Sequence, residues 1–445
     1  MRKLSVLAFL VFFILFGCTK DSPDTTETDS DENTEEPEVL TNEVYFTLKI
    51  PEDYFTSEFE GWVIAHDHDG QILNYRKLEN NSSFSFEKPK LKYKYSQEIT
   101  LLTVFKNNGN TYHNLNTYTF VQDSAIWELT KETISDYSSE RGQEIGKFTM
   151  NVIDLISPAI YKITNKNGTP SFLSGSTTFN NGSTNIFFDE IPLYEENNYL
   201  FSLYDSSGTP SYMLLENLTD GTNITFNQSQ MRFFDNTVSL GIPEGGEYFL
   251  SVLGYEADQQ LNESNGYVLS LILPFDRDKI SSNQIEVGYL NRFENYITTF
   301  NYSNDKFYYS YKKFGEAPTH FGLGNLERWN LEIMNESITD FQFNGPSQNL
   351  YNRKQHSWNT SSGIRDVEYS QTVWTVYKGI DDYHKIGEIP EEILNSYPNL
   401  DIKNINYGSS TFYLDELTYQ EFLDASFVQP NTNKLRNHES IRIVK

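Results

Sequence analysis

Residues 99–120 read ITLLTVFKNNGNTYHNLNTYTF, and they contain the pattern that decides the fold. Residues 99–105 and 112–120 are two runs in which β-branched and aromatic side chains recur. Asparagines and a glycine lie between the two runs. Such runs are typical of β-strands, whereas clusters of Asn and Gly are typical of turns. This stretch therefore predicts short strands that are separated by turns.

The same alternation extends through most of the chain beyond residue 43. Comparable runs, each followed by turn residues, occupy residues 44–50, 62–66 and 267–273. Helical periodicity over long stretches is almost absent. We therefore predict a mainly β fold of tandem β-sandwich-like domains, with one or two short helices near the C-terminus.

Two segments near the C-terminus are the helix candidates. Residues 416–427 alternate polar and apolar side chains in a helical pattern, and Asp415 precedes them as a possible N-cap. Residues 391–396 follow Pro390 and precede Pro398. Proline is compatible with the start of a helix and does not continue one, so this second helix is expected to be short.

We expect the β-rich part of the chain to form three domains. The first is a β-sandwich over residues 43–131, the second β domain covers residues 146–275, and a third β-rich domain with the short helices covers residues 280–445. The polar stretch TISDYSSERG at residues 133–142 is typical of a linker. With about seven short strands, the first domain resembles transthyretin-like or immunoglobulin-like modules.

The chain contains a faint internal repeat. Residues 165–172, NKNGTPSF, recur forty residues later as residues 205–212, DSSGTPSY, and residues 67–70, DHDG, are a looser copy. A spacing near 40 residues is compatible with propeller blades, but no Trp-Asp or Kelch signature accompanies it. Recurring hairpin chemistry explains the repeat as well. We therefore favour tandem sandwiches over a propeller.

The composition limits the kinds of partner. Of the 445 residues, 62 are acidic and 34 are basic, which gives a formal net charge of −28. This balance disfavours nucleic acid as a partner, because few cations are available to neutralise phosphates. It favours partners that are neutral or cationic. The single cysteine excludes an internal disulfide and a cysteine-based metal site.

The N-terminus has the pattern of an export signal. Arg2 and Lys3 precede an apolar run over residues 4–16, shorter than the roughly 20 residues that span a bilayer. The sequence Leu15-Phe16-Gly17-Cys18 follows. It resembles the lipobox of bacterial lipoproteins, in which the cysteine is lipidated and becomes the new N-terminus. The resemblance implies a signal peptide at residues 1–17 and lipidation at Cys18.

Residues 18–42 are predicted to be a lipidated cysteine followed by a disordered acidic tether. Residues 21–38 include nine acidic side chains and no basic one, so they repel one another and bury little apolar surface. Acidic residues soon after the cysteine resemble the export signal of surface lipoproteins in Bacteroidota. In the lipoprotein family, Thr19 after the cysteine implies sorting to the outer membrane. We expect a lipid-anchored protein there, facing the cell surface or the periplasm.

His66 and His68 are the candidate metal ligands. Two histidines at this spacing on a strand lie on one face, where they could chelate Zn²⁺ with a third ligand. The alternative is that residues 67–70, DHDG, form a polar hairpin turn, because Asp-Gly is a strong turn signal. We favour the turn, and we predict no metal and no other cofactor.

Trp329, Trp358 and Trp374 are the candidate binding residues. Exposed indole faces stack on sugar rings, and the tyrosines, Asn and Gln near these tryptophans could bind hydroxyl groups. The alternative is that the three tryptophans belong to the core, as most aromatic residues of a β-rich protein do.

The sequence lacks the common catalytic motifs, including HExxH, the P-loop, GxGxxG and GxSxG. We therefore expect a non-enzymatic binding or accessory module, attached to the membrane by its N-terminal lipid, with a glycan or an envelope protein as its partner. Two alternatives stay open. One is a surface glycan-binding lipoprotein of a polysaccharide-uptake system, which the layout of lipid, spacer and β domains resembles. The other is a hydrolase of extracytoplasmic polymers.

Overall fold

The computed structural model describes residues 42–89, 96–131, 142–169, 175–180, 182–257, 259–380 and 385–445. The predicted signal peptide, Cys18 and the predicted tether up to residue 41 lie outside these ranges. Within them the fold is mainly β, with several sheets and a few short helices near the C-terminus, which confirms the predicted fold class. None of the described helices has the length and apolar character that crossing a membrane requires.

The first seven strands form a β-sandwich. They are β1 (Asn42–Ile50), β2 (Phe59–His66), β3 (Ile72–Lys77), β4 (Ser82–Pro89), β5 (Gln97–Asn107), β6 (Asn110–Val121) and β7 (Ala125–Glu128). One sheet has the order β4-β1-β7, with β1 and β7 parallel, and the other sheet has the order β3-β2-β5-β6. Phe46, Leu48 and Trp127 of the first sheet share a core with Val63 and Leu101 of the second.

The next eight strands form a second sandwich. They are β8 (Glu144–Leu155), β9 (Pro158–Thr164), β10 (Ser176–Asn180), β11 (Ser183–Tyr194), β12 (Tyr199–Asp205), β13 (Pro210–Leu215), β14 (Asn223–Asn227) and β15 (Arg232–Phe233). The sheet orders are β10-β11-β8-β14 and β15-β13-β12-β9. Phe148, Val152 and Phe188 share a core with Phe201 and Leu203.

Six further strands make a third group with two sheets. They are β16 (Asn236–Gly241), β17 (Glu247–Tyr255), β18 (Tyr267–Ile272), β19 (Gln284–Tyr289), β20 (Asn295–Ser303) and β21 (Phe307–Gly315). Strand β16 pairs with β19, and the other four have the order β18-β17-β20-β21. Leu240 and Val287 share a core with Val252 and Phe300.

The three groups share one pattern of strand pairing. The opening strand pairs antiparallel with β4, β11 or β19, and the next strand pairs antiparallel with β5, β12 or β20. That partner then forms a hairpin with β6, β13 or β21. In immunoglobulin constant domains the first and second strands share a sheet. Here they lie in different sheets, so the immunoglobulin-like alternative does not describe these groups.

The third group crosses a predicted domain boundary. Strands β17 and β20 pair from Glu247↔Ser303 to Tyr255↔Asn295, although the sequence suggested a division between residues 275 and 280. Residues 42–445 form one compact unit. The division into domains at 43–131, 146–275 and 280–445 stays a prediction.

The C-terminal strands join the first group to the third. They are β22 (Glu332–Asn335), β23 (Gln342–Asn344), β24 (Arg353–Ile364), β25 (Glu368–Lys378), β26 (Asn406–Tyr413) and β27 (His438–Val444). Strand β27 pairs with β21, and β25 pairs in parallel with β6. One sheet therefore runs through twelve strands in the order β18-β17-β20-β21-β27-β26-β24-β25-β6-β5-β2-β3.

The helices are short. The α-helices are α1 (Glu391–Ser396), α2 (Tyr419–Leu423) and α3 (Thr432–Arg436), and a π-helical turn at Asp424–Val428 follows α2. The 3-10 helices span Gln228–Gln230, Pro274–Lys279, Leu326–Trp329, Ile338–Asp340 and Gln348–Leu350. Helix α1 has the bounds that its flanking prolines predicted.

The predicted N-cap of the second helix is wrong. Helix α2 begins after Thr418, whose side chain accepts the N–H of Glu421. In turn, the Glu421 carboxylate accepts the N–H of Thr418 at 3.0 Å. Asp415 lies before the helix, where it pairs with Arg353 and accepts the N–H of Leu417 at 3.1 Å. A capping box satisfies two N–H groups at the start of a helix. The Asp415 carboxylate instead binds the guanidinium of Arg353, which lies far away in sequence.

The faint repeat is a recurrence of turn chemistry. The Asn165 Oδ1 accepts the N–H groups of Asn167 and Thr169 at 3.0 and 3.2 Å. Asp205 does the same for Ser207 and Thr209, at 2.9 Å each. In the first sandwich, the Oδ1 of Asp67 accepts two N–H groups at 3.0 and 2.8 Å. A side-chain oxygen that closes a turn on its own backbone explains why these short motifs recur.

Candidate functional site

His66 is buried at the end of β2, where it holds a distant segment. Its Nε2 donates to the carbonyl oxygen of Glu388 at 2.8 Å, and its Nδ1 lies 3.4 Å from Glu98 Oε1. The same carboxylate oxygen accepts the N–H of Gly387 at 3.2 Å. His66 and Glu98 are both inaccessible to solvent. This arrangement fixes residues 387–388 against the first sandwich.

His68 lies in the turn between β2 and β3, two residues beyond His66. Its side chain is 47% exposed and its Nε2 is 3.3 Å from Asp69 Oδ2. The Gly70 N–H donates to the Asp67 carbonyl at 3.0 Å, as in a hairpin turn. The structure thus places residues 67–70 in the turn that we favoured. The described ranges contain no group of three or more His, Cys, Asp or Glu side chains that could hold a metal ion.

The three candidate tryptophans are buried. Trp329, Trp358 and Trp374 are 4%, 2% and 2% exposed. The Trp358 Nε1 donates to the Glu336 carbonyl at 2.7 Å, and the Trp374 Nε1 donates to Thr117 Oγ1 at 2.8 Å. Because no indole face reaches solvent, these residues cannot stack on a sugar in this structure. They agree with the alternative that assigned them to the core.

Trp358 and Trp374 occupy one face of the twelve-stranded sheet, and a set of polar side chains occupies the other. Tyr308 pairs with Arg442, and Thr411 lies between Arg442 and Gln355 in the same row across β21, β27, β26 and β24. Side chains at directly opposed positions share a face of a sheet. We call this surface the polar sheet face, and it consists of Asn301, Ser303, Tyr308, Ser310, Lys312, Gln355, Ser357, Thr375, Ser409, Thr411, Tyr413, His438, Ser440 and Arg442.

The polar sheet face is free of carboxylates. None of its residues is acidic, although the chain carries 62 Asp and Glu residues. It extends across six strands, or roughly 24 Å at the usual spacing between neighbouring strands. Its side chains carry hydroxyl, amide, imidazole and cationic groups. A hydrogen-bonding surface that lacks carboxylates and carries two cations, Lys312 and Arg442, therefore occurs within a strongly acidic protein.

Hydrogen bonds hold these side chains in place. The Tyr413 hydroxyl donates to Gln355 Oε1 at 2.9 Å, and the Arg442 Nε donates to Ser409 Oγ at 3.0 Å. Arg442 is exposed and forms no ion pair with any residue in the described ranges. Lys312, at the margin, pairs with Glu263 at 2.6 Å. The central cation is thus oriented by a neutral hydroxyl and keeps donors available for a ligand.

A helical segment borders one end of the polar sheet face. The Tyr419 hydroxyl of α2 donates to the Tyr377 carbonyl at 3.0 Å, and Phe422 stacks near the Tyr377 ring at 5.8 Å. The Arg353 guanidinium lies 4.0 Å from the Tyr413 ring centroid while it pairs with Asp415. The segment therefore forms a wall on one side of the surface.

Ser310 and His438 are the one close serine–histidine pair of the polar sheet face. Ser310 Oγ is 2.9 Å from His438 Nε2 and 2.9 Å from Asn301 Oδ1. Burial lowers the pKa of His438, and the nearby Lys312 acts in the same direction. Among the described residues no carboxylate forms an ion pair with His438, so the acidic member of a Ser–His–Asp triad is not in place.

The sequence contains a signal for this surface, although it predicts the tryptophans as the candidate binding residues. In β27 the buried Ile441 and Ile443 alternate with Ser440 and Arg442. Such alternation identifies one polar face on each strand. The alternation within a strand does not identify which strands are neighbours. The surface forms only when these strands pair side by side.

Comparisons with known proteins give little further information. No family model matches the chain, and no curated protein matches it. Among solved structures, a "putative adhesin" from Bacteroides ovatus aligns over 59% of this chain and 72% of its own, at 11% identity and a TM-score of 0.10. A TM-score this low does not establish a shared fold.

Proposed function

We propose that this protein is a lipid-anchored surface protein that binds a glycan chain through the polar sheet face. The observation that supports binding is the carboxylate-free surface of hydroxyl, amide and guanidinium groups in a chain of net charge −28. No acidic side chain lies within this surface about 24 Å wide, of which Tyr308 and Arg442 are the exposed members, while Ser409, Thr411 and Ser440 are buried. A polar ligand can therefore lie across several strands without repulsion.

A glycan fits this surface better than a protein partner does. Each sugar hydroxyl both donates and accepts hydrogen bonds, and the Ser, Thr, Asn, Gln and Tyr side chains of the polar sheet face do the same. Stable protein interfaces usually have an apolar, aromatic-rich core. Tyr308, 41% exposed, is the aromatic side chain most available on this surface. Two aliphatic side chains share this face at its margins: Val444, opposite Ser409, and Val373, opposite Asn359.

A glycan-binding experiment tests the proposal. Purified protein is screened against arrayed polysaccharides, and affinities for the best ligand are measured by isothermal titration calorimetry. Arg442→Gln removes a guanidinium at the centre of the surface, so we expect affinity to fall about tenfold, which equals about 1.4 kcal/mol. Arg232→Gln, which alters an exposed arginine of β15 outside the polar sheet face, is the matched control.

Two results would refute glycan binding at this surface. One is that wild-type protein binds no polysaccharide at millimolar concentration. The other is that Arg442→Gln and Arg232→Gln bind equally well. The alternative function, a polymer hydrolase, is supported only by the Ser310–His438 pair. It would be favoured if wild-type protein released sugar from a bound glycan and Ser310→Ala did not.

The membrane anchor is tested separately. We expect Cys18→Ala to release the protein from membranes and to abolish labelling by radioactive fatty acid, because two or more acyl chains are needed for firm anchoring. Cys18→Ala leaves the binding surface unchanged, so glycan affinity should be unaltered. A variant that stays in the membrane fraction would contradict lipid attachment at this cysteine.

A further inference from the structure

A cavity of about 250 Å³ lies at one end of the third group of strands, and none of its lining residues belongs to the polar sheet face. It is bounded by the connection that follows β16 and by residues 277–283. Its lining includes Tyr248, Arg277, Asp278 and Asn283, with the aliphatic Ile242 and Ile280. Polar and apolar groups therefore face the same small space.

Backbone contacts hold the walls of this cavity. The Ile242 N–H donates to the Asn283 carbonyl at 2.7 Å, which joins the two connections. The Arg277 Nη1 donates to the Gly246 carbonyl at 2.6 Å. A side chain at Gly246 would collide with the Tyr302 ring, so glycine is required where the backbone meets the arginine. The guanidinium is thus fixed in direction before any ligand arrives.

The lining supplies both donors and acceptors. Arg277 donates only one hydrogen bond to the described part of the chain and forms no ion pair with it, whereas Asp278 offers carboxylate oxygens on the exposed rim. Burial raises the pKa of Tyr248 to about 12, partly opposed by Arg277, so its hydroxyl stays protonated at neutral pH. Hydroxyl-rich ligands need such mixed donors and acceptors, since each hydroxyl does both.

The size of the cavity restricts the ligand to a small molecule. Pockets for drug-sized ligands measure roughly 300–1,000 Å³, so this cavity is slightly smaller. It has room for about eight water molecules at the volume of liquid water. A single sugar ring fits this space, whereas a chain of several rings would extend out of it.

An exposed aromatic residue, Phe275, lies close in sequence to the cavity lining but does not itself line the cavity. Phe275 lies in the 3-10 helix Pro274–Lys279 and is 75% exposed. In a 3-10 helix, side chains three residues apart lie on the same side, which puts Phe275 next to Asp278 of the lining. A phenylalanine kept in water contributes little to the core, but its face can stack on the apolar face of a sugar.

We propose that this cavity is a binding site for one neutral pyranose sugar. Phe275 would stack on the ring, while Arg277, Asp278 and Tyr248 would bind its hydroxyls. The site does not rest on the proposed function of the polar sheet face, because it shares no residue with that surface. The cavity would then hold a free sugar or the end of a glycan, while the polar sheet face would hold a longer stretch of glycan.

Saturation-transfer NMR on the full chain tests the site. The probes are D-glucose, D-galactose and N-acetyl-D-glucosamine, each at millimolar concentration. We expect transfer to at least one of them, and about tenfold weaker binding in Phe275→Ala and in Arg277→Met. Phe233→Ala is the matched control, because Phe233 is 76% exposed but lies in β15 of the second sandwich.

The outcomes separate this site from the polar sheet face. Binding that is lost in Phe275→Ala and kept in Phe233→Ala and Arg442→Gln supports the cavity site. The proposal is overturned if wild-type protein shows no transfer to any of the three sugars, or if Phe275→Ala binds as tightly as wild type. It is also overturned if Arg442→Gln alone abolishes binding of the single sugars. Phe275 is a surface residue, so unchanged circular dichroism is expected and confirms folding of that variant.

Discussion

His356 shows how burial fixes the charge of a single residue. Its Nδ1 lies 2.6 Å from Ser410 Oγ, and the Tyr407 hydroxyl lies 2.7 Å from the same oxygen. Burial lowers the pKa of His356 well below its usual value, and the charges of Lys378 and Lys354 lower it further. The native protein therefore holds this imidazole neutral under conditions where an unfolded chain would protonate it.

This neutral histidine predicts a loss of stability in acid. Below pH 6.5 the unfolded state binds a proton that the native state does not, so the free energy of unfolding falls as pH falls. The expected slope is about 1.4 kcal/mol per pH unit for this histidine, until its native pKa is reached. In His356→Gln that contribution disappears, so the slope of the free energy of unfolding against pH should fall by the amount that corresponds to about one bound proton. Urea unfolding at pH 8, 6.5 and 5 measures it.

His68→Gln is the control for this experiment. The side chain of His68 is 47% exposed and lies in a turn, so His68→Gln replaces a histidine without disturbing the core. Burial also lowers the pKa of His113 and of His438, so part of the slope persists in His356→Gln. An unchanged slope in His356→Gln would show that the imidazole is protonated in the native protein.

Gly387 shows a second residue-scale constraint, which is steric. A methyl group at this position would overlap the imidazole of His66, and the backbone there has no positive φ to explain a glycine otherwise. We expect Gly387→Ala to destabilise the protein by about 1–3 kcal/mol, because His66 is buried and cannot move away without losing the Glu388 bond.

Gly241→Ala provides the comparison for Gly387→Ala. A methyl group at Gly241 would meet nothing within 4 Å, and no positive φ is recorded there. Thermal unfolding of both variants should show a lower Tm for Gly387→Ala only. Equal Tm values would mean that residues 387–388 are not fixed against the first sandwich.

At the scale of elements, helix α2 and the turn after it cover the open end of the first sandwich. Phe427 stacks on Trp127 with ring centroids 4.2 Å apart, and it contacts Tyr118 edge-on at 5.0 Å. The helix has only five residues, which is too short to be stable without its cap and its packing. Its start at Thr418 therefore matters for the core as well as for the helix.

Thr418→Ala is expected to cost about 1 kcal/mol of folding stability, since it removes the side chain that accepts the Glu421 N–H. Near-ultraviolet circular dichroism should change as well, because the Trp127–Phe427 stack depends on the helix. Ser337→Ala is the control: Ser337 precedes a 3-10 helix but forms no capping hydrogen bond. If both substitutions have the same effect on urea unfolding, the capping box contributes nothing.

These elements also show what sequence could and could not predict. Helix α1 was predictable because Pro390 and Pro398 are local signals, and the strands were predictable from alternation. The cap of α2 also has a local signal, because Thr418 and Glu421 have the spacing of a capping box, and the choice of Asp415 overlooked it. By contrast, the row Tyr308–Arg442–Thr411–Gln355 could not be predicted, because it depends on pairing between strands that are far apart in sequence.

At the scale of the whole molecule, the C-terminal strands determine how the groups are connected. Strand β25 pairs with β6 from Tyr369↔Asn110 to Tyr377↔Tyr118, and β27 pairs with β21 from Lys312↔His438 to Phe307↔Ile443. The two edges that these strands cover belong to the first and third groups. A division of the sequence into successive domains misses this, because the last strands complete a sheet begun near residue 59.

This continuity predicts that the first and third groups unfold together. Thr375 lies in β25 between Ser357 of β24 and Asn116 of β6. Thr375→Pro removes its N–H from the middle of the sheet, and the unpaired partner should cost at least about 2 kcal/mol. In differential scanning calorimetry we expect one main transition for these groups in the wild type and two separated transitions in Thr375→Pro. Thr375→Val keeps the N–H and the β-branched shape, so it should behave as wild type. A single transition at the wild-type Tm in Thr375→Pro would mean that the twelve strands do not form one cooperative sheet, and the polar sheet face would then lack the rigid support that glycan binding across it requires.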